Sequence, residues 1–400
     1  MIVSRITHEG AREAPSARGP WWDEVPLDLY RRHERFDLSL ADRVKVSTTA
    51  ASDVVLRTLG ACLVGSLAFP VGYHPGKMRS AVRAAERYFR VVEAGDPHAF
   101  FRAPRAPIEV ARRPARMPLF RPEDGAGEDL RWTSTFVPFD EEERAPYLAE
   151  ERNRTAHVRW FRHDDGPRPT VVAIHGFSAD LYHLNEWFFS LPWLYAQGCD
   201  VALFTLPFHG ARRSRWSPFS GYGFFAGGAP RMNEAFGQAV HDLRAFVSWL
   251  AQRGATEVGL LGVSLGGFTT ALAAAVDDRL RFAVPNVPVV SIADLVMEWE
   301  PIGLAVRASF AALDATLADA RRLLAVSSPL TWPAVVPVER RMIVGGVGDR
   351  LAPPTHARLL WEHWDRCRLH WFPGSHLVHL DRGAYLREIG RFLRANAFLP

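Results

Sequence analysis

From about residue 125 to the C-terminus, short apolar runs of strand length alternate with longer stretches whose apolar residues recur at helical spacing. Alternation of this kind leaves few architectures open, because parallel strands need crossover helices and those helices cover both faces of the sheet. The strand-type runs are 130–139, 157–161, 170–174, 200–206, 258–263, 281–284, 341–345 and 368–372. Between them, 184–197 reads as helical. So does 234–253, which aligns Phe236, Ala239, Val240, Leu243, Phe246, Val247 and Leu250 on one stripe and stops at Gly254. The last helix, 384–395, has Leu386, Ile389, Phe392 and Leu393 as its core face, with Asp381 near its start. The insertion 291–337, carrying Trp299, Phe310 and Trp332, is too long for a structureless loop and reads as a helical lid. The expected fold is therefore α/β, a mostly parallel central sheet with helices on both faces, and no internal repeat is evident.

Residues 1–125 read as an N-terminal helical extension or cap, and 126–400 as the α/β domain. Within the extension, 51–69 is one apolar segment. The stretch 76–94 places Met78, Ala81, Val82, Ala85, Phe89 and Val92 at helical spacing before Gly95. In 102–122 five prolines are interleaved with arginines; that density works against helix and sheet, so an extended connector packed along the domain is expected, with contact to an anionic surface as the alternative.

The chain of 400 residues is 48% hydrophobic and 23% charged, enough apolar material for a large core, and its formal charge of +4 does not suggest a nucleic-acid binder. All but two of the 48 basic residues are arginine (Lys45 and Lys77 are the lysines), a skew better explained by genome composition than by a phosphate-binding surface. Cys62, Cys199 and Cys367 are far apart and odd in number, which gives neither a disulfide framework nor a metal pair and implies a reducing, cytoplasmic setting. Met1–Pro15 is charged and lacks the apolar core of a secretory signal. The longest uncharged run, 58–72, falls short of the ~20 residues of a membrane span. A buried or interfacial helix is expected there, with membrane-surface contact the lesser alternative.

Chemistry is concentrated in the second half. Gly262-Val263-Ser264-Leu265-Gly266 fits G-x-S-x-G, follows the strand-type run 258–263 and opens the small-residue helix 268–275. A nucleophile on so sharp a turn needs glycines on either side, because neighbouring backbone passes too close for side chains. Serine needs a base, and the base an orienting acid. The run 341–345 leads into Gly346-Val347-Gly348-Asp349, and 368–372 into Pro373-Gly374-Ser375-His376. Both loops would lie at the carboxyl edge of the sheet, where α/β folds collect their sites. The order Ser264, Asp349, His376 is the Ser…Asp…His order of nucleophile-elbow enzymes.

On these motifs, together with His175-Gly176-Phe177, residues 130–400 resemble an α/β-hydrolase-fold protein. The turn Leu206-Pro207-Phe208-His209-Gly210 is similar to one in a sparsely characterised branch of abhydrolase proteins. The resemblance implies that the Phe177 and Leu265 N–H groups line an oxyanion hole. Asp294 is the substitute acid and His379 the rival base. His175 is expected to brace its loop, and His209 either lines the pocket or fixes its turn.

The loop 214–230 carries Trp216, Phe219, Tyr222, Phe224 and Phe225 among glycines, and with Trp299 of the lid it suits an apolar pocket wall. Arg212, Arg213 and Arg215 could hold an anionic head group or face water. Metal, phosphate-loop and dinucleotide motifs are missing, so no cofactor is implied. The leading expectation is a serine hydrolase acting on a carboxylic ester, with lipid-like or hydrophobic acyl substrates among those that fit, whose activity falls below about pH 6 as its histidine is protonated. An acyltransferase or C–C bond hydrolase on the same site is the alternative, and a non-catalytic binding protein that keeps the fold is the rival from another class.

Overall fold

Nine strands alternate with helices in this computed structural model, which describes residues 19–73 and 75–399; the reading of Met1–Pro15 falls outside them. They are β1 (Ala111–Pro114), β2 (Gly125–Thr133), β3 (Thr155–His163), β4 (Thr170–Ile174), β5 (Asp200–Phe204), β6 (Val258–Val263), β7 (Leu280–Asn286), β8 (Met342–Gly346) and β9 (Arg368–Phe372). They form one sheet ordered β1-β2-β3-β5-β4-β6-β7-β8-β9. The first three pair antiparallel, and β3 pairs antiparallel with β5, whereas every neighbour from β5 across to β9 is parallel. From β4 the chain goes to one neighbour, β5, and then returns past β4 to the other, β6. Such a reversal opens a crevice at the carboxyl ends of the strands, and this one lies between the His175-Gly176 loop and Ser264.

The central strands β4–β8 are buried on both faces of the sheet. Val172 and Ile174 of β4 pack into one apolar cluster, Val171 and Ala173 into the other, so a continuous apolar run still obeys the two-residue alternation of a strand. The N-terminal helices are α1 (Leu40–Leu67) and α2 (Pro75–Glu93), and the sheet is covered on one face by α3 (Gly228–Gln252) and α4 (Leu265–Ala274). The insertion forms α5 (Ile292–Glu298), α6 (Ile302–Leu313) and α7 (Leu317–Leu323), so its helical reading agrees with the structure. α8 (Pro354–His363) joins the α3 side, and α9 (Arg382–Ala395) packs on the opposite face with two short helices, Tyr182–Phe188 and Leu191–Ala196.

Several boundaries differ from expectation for local reasons. The single helix expected over 184–197 is two, because Ser190 adopts a left-handed backbone (φ 50°) ahead of Pro192. The connector includes β1 despite its prolines: β1 is an edge strand, where Pro114 at its end withholds a donor that no neighbour needs. Beyond β1 the connector is tied down by Glu186, which accepts from the Leu119 and Phe120 N–H groups, and by Arg159, which donates to the Arg116 carbonyl. α1 starts at Leu40, capped by Ser39, and runs 28 residues, which makes it long and apolar enough to cross a membrane by length and composition. Val55, Leu59 and Leu63 lie exposed on its outer side.

Candidate active site

Ser264 sits between β6 and α4 with φ 56° and ψ −114°, a conformation that L-residues avoid and that neighbouring structure must enforce. Two backbone bonds fix it: its N–H donates to Asn286 O of β7 (3.0 Å), and its carbonyl accepts the Phe268 N–H that opens α4 (2.9 Å). The loop after β4 closes over it, so close that a Cβ on Gly176 would stand 3.3 Å from the Ser264 Cβ. His175 braces that loop, its Nδ1 donating to Gly176 O (2.7 Å) and its Nε2 accepting the Leu206 N–H (3.0 Å). Among the described residues, the N–H groups of Phe177 and Leu265 have no acceptor.

Across the carboxyl edge, Asp349 Oδ1 accepts the N–H groups of Leu351 (2.9 Å) and Ala352 (2.8 Å), and Oδ2 accepts from His376 Nδ1 at 2.7 Å. Both side chains are buried, and the Gly348 N–H donates to Gly374 O at 2.7 Å, locking acid loop to histidine loop. Burial pushes the Asp349 carboxyl above its ordinary range against the pull of His376, and the negative charge of Asp53 pushes the same way. Burial works against a charged His376, but the charge and hydrogen bond of Asp349, followed by the charge of Asp53, outweigh it and raise its pKa. With Nδ1–H given to the carboxylate, Nε2 is the acceptor nitrogen. Among the described residues neither Nε2 nor the hydroxyl of the partly buried Ser264 makes a hydrogen bond, so the serine–histidine link is open in this structure.

The profile of the Alpha/beta hydrolase family matches residues 171–388, more than half of the chain and the stretch that carries all of these loops. The chain belongs to the alpha/beta hydrolase family. A curated relative of this hydrolase, "Uncharacterized protein Rv2627c" of Mycobacterium tuberculosis (strain ATCC 25618 / H37Rv), is 29% identical over 312 residues, covering 75% of this chain and 69% of that protein. Two similar solved structures are Acetyl Xylan Esterase 1 from Thermoanaerobacterium sp. JW/SL YS485 and an acetyl xylan esterase from Paenibacillus sp. R4. The first has TM-score 0.54 and 15% identity over 74% of this chain and 92% of that one. The second has TM-score 0.50 and 14% identity over 75% and 92%. At such identities the likeness is one of fold.

The rival site residues of the hydrolase are engaged elsewhere. Asp294 is buried in an ion pair with Arg321, Oδ1 to Nη2 at 2.6 Å and Oδ2 to Nε at 2.9 Å, and His376 pairs with Asp349 instead. His379 gives Nε2 to the His376 carbonyl (3.1 Å) and packs on Phe372; burial pulls its pKa down to about 3. His209 is fully buried, its Nδ1 bonded to Pro207 O (2.8 Å) and its ring edge-on to His175, an arrangement that fixes its turn, and it lines neither the apolar chamber beside Phe225 nor the polar cleft beside Trp216. Arg212 holds no head group either: it is buried against Asp242 (2.7 Å) and the Asn153 carbonyl, whereas Arg213 and Arg215 are exposed.

The aromatic residues divide. Phe225 lines an apolar chamber of about 650 Å³ together with Val64, Met78, Phe89, Val306 and Phe310, and its ring stands 5.0 Å from that of Phe177. Trp216 is 86% exposed, stacked under Arg215, and with Tyr222 borders a separate, more polar cleft; neither lines the chamber. Trp299 packs against Gly60 of α1 and donates to Leu351 O (3.2 Å), joining the lid to the acid loop.

One buried carboxylate at this site was not anticipated. Asp53 of α1 is fully buried, and its Oδ2 accepts the His376 N–H (2.7 Å) and the Arg350 N–H (3.1 Å). A signal exists in the sequence: Asp53 and Arg57 are the two Asp, Glu, Lys or Arg residues between Lys45 and Lys77, spaced four apart on one helix face. That spacing suggests a pair on the helix surface. Instead both reach into the hydrolase domain, Arg57 through Glu298 (2.9 Å) and the Arg350 carbonyl (3.2 Å).

Proposed function

We propose that this hydrolase cleaves carboxylic esters bearing a hydrophobic acyl group. Ser264 Oγ attacks the ester carbonyl while His376 Nε2 takes its proton, and Asp349 holds the imidazole by Nδ1 and stabilises its charged form. The Phe177 and Leu265 N–H groups receive the oxyanion. His376 returns the proton to the leaving alcohol as the C–O bond breaks. Water then attacks the acyl-enzyme, giving one proton to His376, and the acid leaves as Ser264 recovers its proton. Closure of the serine–histidine link on substrate belongs to this reading; catalytic hydrogen bonds are often long without substrate and tighten when it binds.

The reading rests on the buried 2.7 Å His376–Asp349 bond at the same sheet edge as a strained serine flanked by two unpaired N–H groups. The apolar chamber beside Phe177 supports the choice of acyl group: its volume lies within the ~300–1,000 Å³ of small-molecule sites, and apolar side chains dominate its wall. The unpaired cysteines support work in a reducing, cytoplasmic compartment.

A fluorophosphonate probe tests the nucleophile. Labelling of the wild type, lost in Ser264→Ala with an unchanged circular dichroism spectrum, is expected; an unlabelled wild type would favour a binding protein. p-Nitrophenyl esters of graded chain length, assayed with and without alcohol acceptors, then separate hydrolysis from acyl transfer.

A further inference from the structure

We propose that Asp53 is a positioning residue of this catalytic centre: its carboxylate, carried in by α1, ties the acid loop to the histidine loop and adds negative charge beside His376. The proposal rests on the reading of His376 as the base. A single oxygen, Oδ2, accepts the backbone N–H of His376 itself and that of Arg350, the residue after Asp349, so one side chain from the N-terminal extension sets both loops. The other oxygen, Oδ1, is buried without any hydrogen-bond partner. A buried carboxylate left half unsatisfied is what a purely structural tie avoids and what a functional charge tolerates.

The extension is built to bring this group in. A Cβ on Gly348, one residue before the acid, would stand 2.7 Å from Val46 Cγ1 and 3.1 Å from Val46 O, so α1 crosses the acid loop at a distance only glycine permits. Further along α1, Gly60 meets Trp299 and Gly65 meets Ile302 of the lid. The charged and titratable groups around the point are Asp349 and Arg350 on the acid loop, His379 on the histidine loop, Glu298 on α5, and Asp53 and Arg57 on α1. Of these, Asp349 and Asp53 favour a protonated His376.

The pH dependence of fluorophosphonate labelling reads this without a known substrate: Ser264 displaces fluoride from phosphorus, and His376 accepts the serine proton. In Asp53→Asn, which keeps the shape and removes the charge, the acid limb is expected to move down by about one pH unit and the plateau rate to fall by up to about 10²-fold. Arg57→Gln cuts the other tie of α1 and leaves the limb in place. An unmoved limb in Asp53→Asn, or an equal movement in Arg57→Gln, would overturn the proposal. Where Asp53→Asn loses its cooperative melt, Asp53→Ser, with a short oxygen acceptor and no charge, is read by the same criterion. A wild type that never labels counts against the nucleophile reading, whereas a labelled wild type matched by Asp53→Asn counts against this inference alone.

Discussion

Adding one methyl group at Gly266 should open the proposed oxyanion hole. A Cβ there overlaps the carbonyl oxygen of Ile174 and would lie 2.6 Å from Ile174 C and 2.7 Å from His175 O. All three atoms are backbone of the segment that leads into Phe177, so no side chain can swing aside, and the loop or the start of α4 must retreat by about 1 Å, the scale at which misplacement costs about 10²-fold in rate. Losing one oxyanion donor outright costs on the order of 10²–10³-fold, or about 2.7–4 kcal/mol. The overpacking itself costs about 1–3 kcal/mol, which at roughly 2 °C per kcal/mol lowers Tm by about 2–6 °C. Gly267 is the internal control. A Cβ there would stand 3.2 Å from Pro288 Cα and 3.3 Å from Gly262 O, a squeeze of tenths of an ångström, offset by the roughly 1 kcal/mol that alanine gains over glycine inside a helix. Hydrolysis of p-nitrophenyl butyrate, with melting followed by circular dichroism, should show Gly266→Ala down by at least about 10²-fold and Gly267→Ala within about threefold of wild type. Equal activity in the two variants would refute both the assignment of Phe177 as a donor and the claim that the elbow holds its loop.

His376 must be neutral to act as the proposed base, and its partners raise its pKa above the ordinary 6.5. Activity should therefore fall as the pH drops through a value above 6.5, higher than the limit near pH 6 expected from the sequence; an acid limb of kcat/KM at or below 6 would count against the Asp349 pairing. Val306→Trp should fill the chamber beside Phe225. Displacing about three methylenes at ~0.8 kcal/mol each slows long-chain esters by about fifty-fold, while acetyl esters stay near wild type; a uniform loss would mean that the acyl chain lies elsewhere. Asp294→Asn breaks the buried pair with Arg321 and should cost about 3–5 kcal/mol of stability, seen as a lower Tm with the pH profile intact. A collapse in kcat at unchanged Tm would make Asp294 the acid after all. His379→Gln should leave the acid limb unmoved, because that ring is neutral and committed to the His376 carbonyl.

The strands from β4 onward were legible in the sequence because each is short, apolar and bounded by turn residues; β4, β6 and β9 begin and end where the pattern places them. The sheet order was not legible, since nothing local tells β4 that its neighbours are β5 and β6. Helix boundaries slipped where backbone geometry overrode periodicity, as at Ser190. The loops bearing Ser264, Asp349 and His376 were legible because chemistry at a strand end leaves local signs, glycines above all. The aromatic loop misled because its composition is shared by a chamber wall and an exposed turn: Phe225 faces inward and Trp216 outward on the same run of glycines.

Asp53 marks the limit of local reading in another way. An acid and a base four residues apart on a helical stretch without other charges have an adequate local explanation, a surface pair worth about 0.2–0.5 kcal/mol, and that explanation is wrong here. What separates the two outcomes is a partner 323 residues away, the His376 N–H, together with a glycine at 348 that lets α1 come close enough to reach it. Neither feature alone carries information: glycines are common in acid loops, and a backbone N–H leaves no trace in the sequence. Beyond Lys45 the two charged residues of α1, Asp53 and Arg57, both turn inward, and Val55, Leu59 and Leu63 lie outward. The readable clue was therefore an acid and a base isolated in the long apolar stretch between Lys45 and Lys77, since charged residues set among apolar ones call for a partner if they are buried.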